Sequence, residues 1–192
     1  MDIIKEAALV LKRDGLVVYP TETVYGLGAD ALSDDAIYRV YEAKHRPPGQ
    51  PISVAVSDLD MLEAIGVIDS FADEFIAEFL PGPVTVVLKA KCCLPEVLSG
   101  GTGMIGVRYP AHKLAIGLIK EFDSPITATS ANQHGAKEPT RPAECHVPYD
   151  LLIDGGQLPG TPSTVVDLVN RIVLRPGANI EEVVRFLSQH RQ

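Results

Sequence analysis

Thr21, Glu22 and Thr23, the Lys44-x-Arg46 pair, Arg108, the Ser130-x-Asn132 triplet, Ser163 and Arg175 are the side chains of this sequence with chemistry to offer. A lysine is a compact point charge and an arginine a planar fork, and together they suit the oxygens of a polyphosphate. The same pair at a helix end also serves the negative pole of the helix dipole, so the spacing leaves both uses open. Ser130 and Asn132 bring a hydroxyl and an amide fit for a ribose, a base or a phosphate, or equally for a cap or turn. Arg108 closes a strand of buried character, where a guanidinium calls for a carboxylate or a phosphate. Gly26 and Gly28 have neither Walker spacing nor a GxGxxG pattern and do not define a phosphate loop.

The elements that must position these groups follow from periodicity. Ile3, Ile4, Ala7, Ala8 and Leu11 recur at helical spacing, with Gly15 as the stop. Leu16 to Tyr19 reads as a buried strand broken at Pro20. Ser33 is an N-cap with Asp34 and Asp35 in the first turn, and Ile37, Val40, Tyr41 and Lys44 share one face of the helix that follows. Pro47 and Pro48 end it. Further strands are expected at Ile52–Val56, Val84–Leu88, Ile105–Arg108, Pro125–Thr129 and Leu151–Ile153. Helices are expected at Asp58–Ile65, Ser70–Leu80, about His112 to Phe122, and after Asn179, which opens a capping box. Pro81-Gly82-Pro83 is a rigid turn, Lys89 to Gly103 reads as irregular, and Gln133 to Pro148 as a mobile loop with one helical turn. Thr164–Leu168 and Arg171–Leu174 form a hairpin turning at Val169-Asn170. The reading is one α/β domain over residues 1–192: a twisted mixed sheet of about seven strands flanked by helices, with the polar groups gathered at strand ends.

Composition narrows the function classes. The apolar share is 46%, charged residues are 22% and tryptophan is absent, an ordinary globular profile. A formal net charge of −8 argues against wholesale coating of nucleic acid, while leaving room for a local basic pocket. Cys92, Cys93 and Cys145 fit no disulfide framework and no zinc spacing, which points to a reducing, cytoplasmic compartment. The N-terminus lacks a basic n-region, and no stretch approaches the ~20 apolar residues of a membrane span.

Taken together, Tyr19-Pro-Thr-Glu-Thr-Val-Tyr-Gly-Leu-Gly28, Lys44-x-Arg46, Pro81-Gly-Pro83, Val107-Arg-x-Pro110, Ser130-Ala-Asn132, Ser163-Thr164 and Leu174-Arg-Pro-Gly177 resemble the YrdC/Sua5 family. The motifs stand in the family's order over about residues 3–188, and the ordered set is far more specific than any member of it. The chain closes soon after its last helix, which in that family implies the short form without the extra Sua5 domain.

The resemblance implies a YrdC-like fold with a concave cavity and the synthesis of threonylcarbamoyl-AMP and pyrophosphate from L-threonine, bicarbonate and ATP. That is the first step of t6A formation at adenosine 37 of tRNA, and a TsaD-type tRNA threonylcarbamoyltransferase is the partner implied. By the same carry-over Lys44 and Arg46 are catalytic and bind the triphosphate, with Mg2+ entering through the ATP phosphates and no protein metal site. Gln50, Ser130, Asn132 and Arg175 complete the ATP site, and Thr23, Arg108 and Ser163 hold threonine. The chain departs from the pattern at Ala55, where many relatives carry a histidine, and at Gln50, where an asparagine is common. No general base stands out; Glu22 is near in sequence. Two other readings compete: a double-stranded-RNA-binding translation or ribosome-maturation factor, and a carbamoyl-adenylate-forming domain for another acceptor like that of hydrogenase-maturation carbamoyltransferases.

Overall fold

The computed structural model describes residues 2–47 and 49–190, so the second proline of the helix stop, Pro48, lies outside the described residues. Helix α1 (Ile3–Leu11) starts where the Asp2 carboxylate accepts the Ile4 amide and buries Ala7, Ala8 and Leu11. The left-handed residue that ends it is Asp14, not Gly15. Gly15 is needed for a different reason: a Cβ there would sit 2.4 Å from Val10 Cγ1. Strand β1 (Val17–Tyr19) then pairs antiparallel with β2 (Gly26–Gly28). Helix α2 (Asp34–Ala43) is capped by Ser33 as the sequence indicates, with Lys44 as its C-cap.

Strand β3 (Val54–Ala55), helix α3 (Leu59–Ile65), strand β4 (Gly66–Val67) and helix α4 (Ser70–Phe79) follow in order, the two helices capped by Asp58 and Asp69. Strand β5 (Val84–Ala90) runs two residues further than expected into the segment read as irregular. That segment also holds a short helix, α5 (Glu96–Ser99). Strand β6 (Met104–Arg108) and helix α6 (Lys113–Phe122) match their expected places.

The stretch read as one strand at Pro125–Thr129 is divided. Its first half, β7 (Ile126–Thr127), joins one sheet and its second, β8 (Thr129–Ser130), joins another. Strands β9 (Leu151–Leu152), β10 (Thr164–Asp167) and β11 (Ile172–Arg175) and helix α7 (Ile180–Gln189) complete the chain. Asn179 does not cap α7 through its side chain; it adopts a left-handed backbone at φ 59°. In the β10–β11 hairpin, the Asp167 carboxylate accepts both turn amides, of Val169 and Asn170.

The expected mixed sheet of seven strands is present, in the order β11-β10-β5-β6-β3-β7 with β4 beside β5. A second sheet of four strands, β8-β2-β1-β9, accompanies it. Apolar residues fill two cores. One packs α1 and α6 against β1 through Leu11, Leu118, Ile119 and Val17. The larger collects α2, α3 and α4 with the interior of the big sheet, including Ile37, Leu62, Phe75 and Val86. Among the described residues no helix is long and apolar enough to cross a membrane.

The loop from Gln133 to Pro148 is tied down. The His134 amide donates to the Lys44 carbonyl, the Tyr25 amide to Pro139 and the Leu158 amide to Thr140. Its one helical turn is a 3-10 turn at Pro142–Glu144.

Two of the sequence motifs interlock here. Ala178 donates its amide to the Pro162 carbonyl at 2.8 Å. Thr164 Oγ1 donates to the Ala178 carbonyl at 2.6 Å. A Cβ on Gly177 would lie 2.3 Å from the Pro162 oxygen, a backbone atom that cannot step aside. A Cβ on Gly117, in α6, would have nothing within 4 Å of it. Gly177→Ala is therefore expected to lower stability by about 1–3 kcal/mol, as overpacking does, and Gly117→Ala to leave it unchanged or raise it slightly. Urea denaturation of the two variants checks the pair; equal midpoints would contradict the interlock.

Candidate functional site

A row of residues crosses the large sheet in register. Val165 pairs with Thr85, Thr85 with Arg108, and Arg108 with Ala55. Cross-strand partners share a face of a sheet, and all four line one cavity of about 220 Å³. A second row, Tyr19–Gly26–Ser130, crosses the small sheet and lines the same cavity from the other side. The site is the space between two rungs.

Arg108 is its centre. The residue is only 6% exposed, and Nη2 donates to Glu22 Oε1 at 2.8 Å and to Thr23 Oγ1 at 3.4 Å. The Ala111 amide shares the same Glu22 oxygen at 3.0 Å. Arg108 Nε and Glu22 Oε2 are buried without partners. The carboxylate that the buried arginine called for is thus Glu22. Thr23 is held in turn by Thr21, hydroxyl to hydroxyl at 2.8 Å.

Ser163 and Arg175 form the second polar group. The Ser163 hydroxyl shares a 2.9 Å hydrogen bond with Thr85 Oγ1. Arg175 Nη2 donates to both the carbonyl and the hydroxyl of Ser163, at 2.9 and 3.1 Å. Arg46 enters from the end of α2. Its Nη2 donates to the Pro51 carbonyl at 2.9 Å, and its Nε is buried without a partner. Thr23, Arg46, Arg108, Ser130, Ser163 and Arg175 therefore meet in one cavity, a convergence that the strand-end placement of Arg108, Ser130, Ser163 and Arg175 left open.

Three expected site residues do not line it. Lys44 is 2% exposed, and its ammonium donates to the carbonyls of Ser130 and Asn132. Asn132 Nδ2 donates to the carbonyls of Gln133 and Ala136, so its amide holds its own loop. Gln50 contributes a backbone carbonyl that accepts from the Tyr41 hydroxyl at 2.7 Å. Gly26 and Gly28 belong to a strand, where their missing side chains make room for the Tyr19 ring; a Cβ on Gly26 would lie 2.9 Å from Tyr19 Cζ.

Thr85, Ser53 and Glu138 line the cavity without having been singled out in the sequence. Thr85 carried a faint signal, a hydroxyl in an otherwise apolar buried strand. Glu138 had none, since its place depends on how the 133–148 loop folds back. It is the one acidic residue on the cavity wall among the described residues, and both Lys44 and Arg175 feel its charge. No group of three His, Cys, Asp or Glu that could hold a metal occurs among the described residues. Cys145 is buried, and burial followed by Glu144 pushes its thiol up to about 11, which makes it a poor metal ligand.

The arrangement offers three guanidiniums, several hydroxyls and one carboxylate around a hollow open to solvent. That suits a small carboxylate beside a polyanion.

Comparison with known proteins bears on this geometry. The Sua5/YciO/YrdC family model, described as telomere recombination, matches residues 9–177. The chain is 39% identical over 199 residues to a protein of Pyrococcus abyssi (strain GE5 / Orsay) named threonylcarbamoyl-AMP synthase, covering 98% of this chain and 58% of that one. A Bacillus subtilis (strain 168) protein of the same name is 40% identical over 195 residues, with 94% and 55% covered. The crystal structure of P. abyssi Sua5 complexed with L-threonine superposes with a TM-score of 0.88 at 38% identity, covering 94% of this chain and 57% of that one. The chain thus spans a little over half the length of these relatives.

Burial, and after it the charge of Arg46, pulls the Lys44 ammonium down to about 8, with Glu138 opposing them. Between that value and the ordinary lysine range, the unfolded chain holds a proton that the folded chain has released, so this group adds stability as pH rises. Relative to a Lys44→Met variant, the protein is expected to gain stability between about pH 7 and about pH 9.5. Urea denaturation of both at the two pH values measures the difference; a gap that shrinks with pH would mean the folded ammonium is stabilised instead.

Proposed function

The chain belongs to the Sua5/YciO/YrdC family, and we propose that it makes threonylcarbamoyl-AMP and pyrophosphate from L-threonine, bicarbonate and ATP. The observation that carries this is the meeting of Arg46, Arg108 and Arg175 with Thr23, Ser130 and Ser163 in one hollow. The L-threonine complex of a relative 38% identical in sequence supports an amino acid as one occupant.

In the reaction, the threonine amine becomes a carbamate by adding to the carbon of CO2 with loss of a proton, or to that of bicarbonate with loss of water. A carbamate oxygen then attacks the α-phosphorus of ATP, and the bond to the bridging oxygen of pyrophosphate breaks. Such a step needs alignment and neutralisation of negative charge more than proton transfer. Arg108, already oriented by Glu22 and with Nε unpartnered, would take the threonine carboxylate. Thr23 and Ser163 flank it with hydroxyls. Arg46 and Arg175 would receive the phosphates, and Ser130 the nucleotide beside them.

Mg2+ would arrive on the phosphate oxygens. A single protein carboxylate with phosphate oxygens is a donor set that this hard cation accepts, and Glu138 is the wall residue able to supply it. When bound it would neutralise charge on the triphosphate.

The product is a mixed anhydride, which calls for a transferase to pass the threonylcarbamoyl group to tRNA; a TsaD-type enzyme is the partner proposed. A cytoplasmic location is proposed with it, since the ATP consumed and the tRNA finally modified both occur there. The RNA-binding alternative gains nothing from the structure, because the cations singled out in the sequence face a cavity or are buried, and the net charge is −8.

Pyrophosphate release from ATP is expected to need L-threonine and bicarbonate together. It should fall roughly 100-fold or more in Arg46→Ala, the usual effect of deleting a group that stabilises transition-state charge. A coupled pyrophosphate assay decides this: turnover indifferent to threonine, or an Arg46→Ala enzyme at the wild-type rate, would remove the assignment.

A further inference from the structure

We propose that Lys44 is a positioning residue, which sets the Ser130–Asn132 backbone for the nucleotide and does not bind phosphate itself. This rests on the reading of the cavity as a nucleotide site.

Lys44 grips one short stretch of chain with both of its ends. Its ammonium donates to the carbonyls of Ser130 and Asn132, the latter at 2.6 Å. Its own carbonyl accepts the His134 amide at 3.0 Å. Two of the three ammonium protons are therefore committed to acceptors two residues apart, which fixes the peptide planes that follow Ser130 and Asn132.

The stretch is held from its other side as well. Ser130 pairs with Gly26, and the Ala131 amide donates to the Tyr25 carbonyl. Remove the lysine, and two carbonyls are left facing the buried end of α2 with no donor.

Location also separates Lys44 from its neighbour in the motif. Arg46 lines the cavity, whereas Lys44 lies behind its wall and is 2% exposed. A cation buried there is tolerable because its ammonium lies on the Ser130 and Asn132 carbonyls, whose dipoles favour positive charge. Arg46 and Glu138 are the charged groups that face it, one opposing its charge and one favouring it. The division of labour is then clear. Arg46 meets the anion, and Lys44 shapes the loop that carries Ser130.

Hydrogen exchange in the ligand-free protein tests this directly, with Lys44→Met as a variant of similar length without a donor and Lys44→Gln as a second that keeps a polar end. The amides of Ala131, His134 and Ala136 are expected to exchange at least ~10-fold faster in Lys44→Met, as loss of charge-assisted hydrogen bonds would cause. Lys44→Gln should show a smaller acceleration at the same three. Protection equal to wild type at these amides, in whichever variant folds, would overturn the proposal.

Calorimetric titration with adenosine and with ATP separates the two roles. Lys44→Met should weaken both by the same factor, roughly 10-fold, while Arg46→Met weakens ATP alone. Loss of ATP affinity with adenosine unchanged in Lys44→Met would make the lysine a phosphate ligand after all. Should the wild-type protein bind neither compound, the nucleotide reading itself fails, and the exchange rates still decide whether Lys44 holds the loop.

Discussion

A guanidinium in the middle of a sheet cannot be left unpaired, and most of this site follows from satisfying Arg108. Burying a cation costs several kcal/mol unless a partner and further hydrogen bonds compensate. The partner, Glu22, comes from the connection between β1 and β2 of the small sheet, while Arg108 belongs to β6 of the large one. Their 2.8 Å contact therefore joins the two sheets across the cavity. The Ala111 amide and the Thr23 hydroxyl complete the arrangement. Ala55 and Thr85, the register neighbours of Arg108, are small enough to leave a hollow in front of it.

Around that centre, much of the polar chemistry shapes backbone before it could meet a ligand. Arg175 is fastened to Ser163, and Ser163 to Thr85. Gly177 lets its segment lie against Pro162. Tyr25 accepts the Gly155 amide and donates to the Gly156 carbonyl, pinning the turn after β9. A hydroxyl or amide that already holds its neighbours is pre-organised, and pre-organisation is what a charge-neutralising site needs. The result is a thin layer of ligand-facing atoms supported by a thicker layer of interlocked motifs.

The sequence disclosed the elements well and their partnerships poorly. Caps such as Ser33 and the termini of α2, α4 and α6 were legible because periodicity and capping are local. The break at Ala128 was not, since each half of that strand is claimed by a different sheet and Ala128 itself donates to the distant Ser53 carbonyl at 2.7 Å. Arg108 announced a partner without saying which; Glu22 lies 86 residues away. Lys44 and Asn132 showed the opposite failure. Their types suggested a ligand, but a buried ammonium and amide are also the natural way to satisfy carbonyls in a tight loop, and only coordinates distinguish the two uses. Glu138 was invisible because a carboxylate in a polar loop carries no periodic signal.

Two facing rungs are expected to enclose an amino acid and a nucleotide together. A crystal structure of the protein with L-threonine and a non-hydrolysable ATP analogue tests it most directly. The threonine carboxylate should lie on Arg108 between Thr23 and Ser163, and the triphosphate should run past Arg46 and Arg175. Ligands bound elsewhere on the protein, or a nucleotide that leaves Arg46, Arg108 and Arg175 untouched, would contradict it.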